Sequence, residues 1–140
     1  MSKKSPKIAA LIENCQGKTF NAYYLGYFEC FNRQLFYEAH DVLEELWLRN
    51  KQSPNYAFYK GLIQYGGAFV HLQKNRLRPA AALFKLARAN IAQYPNPHDD
   101  LDTNSLLVEI ETWLNRLESS GFSSNPLNEG PSPELRLSSP

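Results

Sequence analysis

The sequence predicts an all-α domain, a small bundle of about five helices arranged as consecutive antiparallel hairpins. Three observations carry this expectation. Apolar residues recur at three- and four-residue spacing through most of the chain, no segment sustains two-residue alternation, and no Asn-Gly or Asp-Gly hairpin signal occurs.

In an N-terminal segment, residues 1–19, Ile8, Leu11, Ile12 and Cys15 have the spacing of an amphipathic turn or short helix, with Gly17 placed to end it. The first helix of the domain proper, Asn21 to Asn32, aligns Tyr24, Tyr27, Phe28 and Phe31. Asn32-Arg33-Gln34 is a joint too short for anything but a tight antiparallel turn. The second helix, Leu35 to Arg49, lines one face with Leu35, Ala39, Val42, Leu43 and Leu46. Ser53 as N-cap and Pro54 at the first helical position open a third helix, which reaches about Lys74 through Leu62, Ile63, Phe69 and Val70. Its Gly66-Gly67 pair costs about 1 kcal/mol per glycine relative to alanine, which predicts close approach of another backbone there. A fourth helix starts near Arg78-Pro79 and buries Leu83, Phe84, Ala87 and Ile91 before Pro95-Asn96-Pro97 stops it after Tyr94. The fifth, capped by Asp102, Thr103 or Asn104, repeats Leu106, Ile110, Trp113, Leu114 and Leu117. The helical domain is thus expected over residues 20–118. Residues 119–140, rich in Ser and Pro, read as a flexible tail or one that lies across the domain only through Phe122, Leu127, Leu135 and Leu137.

Charge and cysteine usage bound the setting. Fifteen Lys and Arg against 14 Asp and Glu leave a net charge of +1, which gives no electrostatic reason to expect nucleic acid or an anionic membrane. The apolar run Ile8 to Ile12 is too short for the core of a signal peptide, and no stretch approaches the roughly 18 apolar residues of a membrane span. A soluble, cytoplasmic protein is expected. Cys15 and Cys30, with no CxxC spacing, read as two free thiols.

The chemistry-bearing stretch is Phe36-Tyr37-Glu38-Ala39-His40-Asp41-Val42-Leu43-Glu44-Glu45-Leu46-Trp47. On a helix His40 and Glu44 lie one turn apart at the border of the apolar stripe, while Glu38, Asp41 and Glu45 make a second, more solvent-facing row. Gln64 and His71, seven residues apart on the third helix, share a face that can be directed at His40 and Glu44. A carboxylate beside an imidazole fixes its tautomer and raises its basicity, as a general base or metal ligand requires. Two helices that bury a histidine also need such partners merely to satisfy it. His-Glu-x-x-His and Glu-x-x-His forms are both missing, as are the Gly-rich phosphate cradles and the Gly-x-Ser-x-Gly elbow. Lys74, Arg76, Arg78, Lys85 and Arg88 gather near the third-to-fourth junction, as a solvated face or a patch for an acidic partner. Fourteen of 18 aromatic residues lie between Phe20 and Phe69, where they either fill the core or present a surface to a protein partner or a second copy of the chain.

The Glu38-to-Trp47 motif, with Phe31-Asn32 before it and Gly61-Leu62-Ile63-Gln64 and His71-Leu72 after it, resembles the small bacterial and archaeal helical proteins grouped as domain of unknown function 309. The resemblance covers roughly Tyr24 to Tyr94 and implies an all-α fold with no established reaction. It implies signature positions at Glu38, His40, Asp41, Glu44 and Trp47 on one helix and Gly61, Gln64 and His71 on the next. Where that family usually shows Gly-Asn after the histidine, this chain has Lys74-Asn75-Arg76.

The functional expectation is a non-catalytic helical domain whose polar layer of His40, Glu44, Gln64 and His71 is mainly structural, with a small ligand or protein partner as its binding role. The alternative is a metal-dependent or acid/base enzyme of hydrolase type. Its site would lie between the second and third helices, with His40 and His71 as ligands or acid/base groups, Glu44 as orienter, and a divalent metal as cofactor.

Overall fold

A computed structural model of the chain describes residues 5–17 and 20–138. Residues 1–4 and 18–19 of the expected N-terminal segment and the last two residues of the tail lie outside the described residues. The elements are α1 (Ser5–Leu11), α2 (Ala22–Asn32), α3 (Phe36–Arg49), α4 (Tyr56–Gln73), α5 (Leu77–Ile91) and α6 (Thr103–Ser119), with short 3₁₀ turns at Glu13–Cys15 and Pro126–Asn128. The all-α bundle is the predicted one: α2 packs on α3, α3 on α4, α4 on α5 and α5 on α6.

Local chemistry sets the boundaries. Asn21 accepts the Tyr23 amide at the start of α2, and Asp102 accepts the Ser105 amide at the start of α6. The α2–α3 joint closes on Gln34, which takes φ +65°, while the Leu35 amide reaches back to the Cys30 carbonyl. The α4–α5 joint repeats the device at Asn75, with φ +55° and the Arg76 amide on the His71 carbonyl. One boundary departs from expectation. Ser53 and Pro54 do not open α4; the Ser53 hydroxyl accepts the Asn55 amide in a turn, and the helix begins at Tyr56. The serine is used by a side-chain turn that competes with helical capping.

The core is continuous from Ile8 and Ile12 to Leu135. Its centre is aromatic: Tyr27, Phe31, Phe36, Tyr65, Phe69 and Phe84 are at most 1% exposed and meet in edge-to-face and stacked pairs. The buried Tyr27 hydroxyl is satisfied by the Leu62 carbonyl at 2.6 Å. Close helix approach is permitted at Gly61, where an added Cβ would sit 2.9 Å from the Ile91 side chain. At Gly66-Gly67 the close neighbours are mainly side chains, Tyr27 and Leu83, rather than another helix backbone.

The chain beyond α6 runs across the ends of α2 and α4. Asn125 donates to the Leu72 carbonyl at 2.6 Å, and Asn32 both donates to and accepts from the Leu135 backbone at 2.7 Å. Leu135 is 5% exposed, while Phe122, Leu127 and Leu137 pack on the core from its edge. No described helix is long and apolar enough to cross a membrane.

Candidate functional site

Along α4, Gln64, Gly67 and His71 form one stripe at i, i+3 and i+7, and Ile63 and Val70 flank it. This stripe is the floor of an open cavity of about 200 Å³. Tyr37 and His40 wall it from α3 and Leu83 from α5. Gly67 keeps the floor low: a Cβ there would lie 3.2 Å from Leu83 Cδ1 and 3.9 Å from His40 Cδ2. Three of the residues expected in the polar layer, His40, Gln64 and His71, therefore share one cavity. Glu44 does not line it, but its carboxylate stands 3.8 Å from His40 Nε2.

The hydrogen bonding differs from a mutually satisfied layer. His40 Nδ1 lies 3.4 Å from Asp41, and the contact with Glu44 is of ion-pair length, too long for a hydrogen bond. Gln64 Oε1 accepts from Asn90 of α5 at 2.7 Å, which fixes the orientation of the amide. His71 Nδ1 is buried and has no hydrogen-bond partner among the described residues. Burial, and after it the Arg76 and Lys74 cations, hold the His71 imidazole below its usual 6.5. Its ring is accordingly neutral at pH 7.

The remaining acids divide. Asp41, expected in the solvent-facing row, is 7% exposed. Glu38 stands toward Cys30, adding to the burial that pushes that thiol up to about 11 and keeps it protonated. Cys15 and Cys30 are both buried and neither is in a disulfide. Glu45 pairs along α3 with Arg49 at 3.8 Å. Among the described residues no three His, Cys, Asp or Glu side chains gather as a metal would require. The basic cluster is also reduced, since Lys85 pairs with Glu118 and Arg88 with Glu111, and the Arg78 guanidinium covers the Phe122 ring at 4.3 Å. Lys74 and Arg76 keep no ion pair among the described residues.

Sequence reasoning missed Asn90, whose role depends on α5 packing across α4; its seven-residue spacing from Leu83 was the available signal. It also missed a second polar cluster. There His98 Nε2 meets Asn55 Oδ1 at 2.8 Å, and Asn55 Nδ2 donates to Asp99 at 2.6 Å. Tyr24 donates to the Asp99 carbonyl at 2.8 Å, and the His98 ring is held between Phe58 and Tyr94. This cluster staples the α5–α6 loop to α2 and to the start of α4.

Fold and site together define a helical-hairpin bundle with a small interhelical pocket. Residues 24–83 match the model of a family described as a domain of unknown function (DUF309), which spans α2 to the middle of α5 and contains every residue lining the cavity. No curated protein and no solved structure matches the chain.

Proposed function

We propose that this chain is a non-catalytic domain that binds a small organic molecule in the cavity between α3, α4 and α5. The observation that carries the reading is that His40, Gln64 and His71 border an open space walled by Tyr37, Ile63, Val70 and Leu83 instead of being sealed against one another. Apolar walls with a few polar groups are the usual composition of a small-molecule site. At about 200 Å³ the space falls below the ~300 Å³ at which drug-sized pockets begin, so the ligand is metabolite-sized. A cytoplasmic setting, with Cys15 and Cys30 reduced, fits this reading.

The test is a fragment panel followed by two-dimensional amide NMR on the full chain. Shift changes are expected to cluster on residues 37–44, 63–71 and 83, and Gly67→Leu, which fills the floor, is expected to abolish them. Binding that maps elsewhere, or that survives Gly67→Leu in a folded variant, would refute the assignment.

A further inference from the structure

The cavity has two unlike ends. Gln64 and His71 are separated by seven residues, about 10 Å along the helix axis, so they serve opposite ends of the floor. At the His71 end the nearest charges are Lys74 and Arg76, neither of which is neutralised by a carboxylate among the described residues. The acids lie on the other side. Because α3 and α4 are joined as an antiparallel hairpin, Glu44 falls toward the Gln64 end, and Asp41 and Glu44 face the two nitrogens of His40. His40 stands between these two carboxylates and offers the cavity its ring, stacked beside Tyr37. His71 Nδ1 is buried and closed to the cavity, which leaves Nε2 as the ring nitrogen that can meet a ligand.

Building on the assignment of this cavity as a ligand site, we propose that the ligand is a small organic carboxylate with an apolar body, seated with its acid group at the His71 end. The body lies over Gly67 between Val70, Ile63 and Leu83. The carboxylate accepts a hydrogen bond from His71 Nε2–H, in the tautomer that leaves the buried Nδ1 unprotonated. Lys74 and Arg76 add a positive field without entering the apolar part of the site. An ammonium ligand is disfavoured at this end by the same two cations.

Three probes of equal length separate the chemistry from the site: hexanoate, 1-hexanol and hexylammonium, titrated into the full chain at pH 7 and followed by amide NMR. Hexanoate is expected to bind about tenfold more tightly than 1-hexanol, with hexylammonium weakest. His71→Leu should bring hexanoate to the level of 1-hexanol. The double variant Lys74→Gln/Arg76→Gln, made at exposed positions, should lower hexanoate affinity and leave 1-hexanol within twofold. It decides the matter if His71→Leu does not fold. If 1-hexanol or hexylammonium binds the cavity as well as hexanoate does, or if the hexanoate preference survives both variants, the carboxylate assignment is overturned while the cavity remains a ligand site. Failure of all three probes to perturb the cavity overturns both.

Discussion

Two residues carry the strain of the tight turns. Gln34 and Asn75 hold left-handed backbone, at φ +65° and +55°, where a side chain with a Cβ is strained. Asn75 is among the residues that tolerate this region, and its Oδ1 also accepts from Asn125 at 3.3 Å. The Lys74-Asn75-Arg76 turn thus holds asparagine in the left-handed position. Gln34 has no such compensation for its side chain, which is exposed. Gln34→Gly should therefore raise stability by about 1 kcal/mol, seen as a higher midpoint in urea unfolding with an unchanged slope. His71 gives a second prediction at this scale. Its pKa is lowered on folding, chiefly by burial, so the unfolded chain binds the proton more readily. Stability is then fully present above 6.5 and declines as pH falls through that value, levelling off below the folded-state midpoint. His71→Gln should flatten that part of the stability profile relative to the native chain, and an NMR titration of the His71 ring should give a midpoint below 6.5.

At the scale of elements, periodicity was a good guide wherever one helix face meets the core. The faces of α2, α3 and α6 are buried as their spacing predicts, with Phe28, Phe31, Val42, Leu43, Ile110 and Leu114 all inside. The placement of His40, Gln64 and His71 around one space followed from the same rule applied to two helices of a hairpin. What the pattern could not show is which polar atoms pair across helices, because that depends on the rotation and depth of packing; Gln64 turns to Asn90 instead of His40 for this reason. The α5–α6 loop was equally illegible. His98 and Asp99 belong to no motif or periodic spacing, yet they meet Asn55, more than forty residues earlier, in a contact that only the fold creates. Asn55→Ala removes both hydrogen bonds while leaving their partners half-buried. It should cost about 2 kcal/mol, with the loss confined in hydrogen exchange first to the loop over residues 95–102.

Over the whole molecule, the hairpins supply neighbours close in sequence, and the segment after α6 supplies the distant ones. Removing it by a stop after Ser120 exposes the Leu135 site and leaves the Leu72 carbonyl without Asn125. Burial of one leucine is worth about 1.5–3 kcal/mol, and a buried hydrogen bond adds about 1 kcal/mol. The truncated chain should thus lose at least about 2.5 kcal/mol, measured as a fall in the urea midpoint. A loss under about 1 kcal/mol would mean that the segment rests on the bundle without bracing it.

The reciprocal bonds between Asn32 and Leu135 join positions 103 apart in the chain. Such a link closes a long loop, whose entropic cost is met only after the helices that flank it are in place. In time, then, the strap is the last part to arrive and the first to leave. The amide of Leu135 should exchange with solvent on a faster clock than those of Phe31 or Phe69, and a mutation at Asn32 should speed unfolding while leaving the refolding rate nearly untouched.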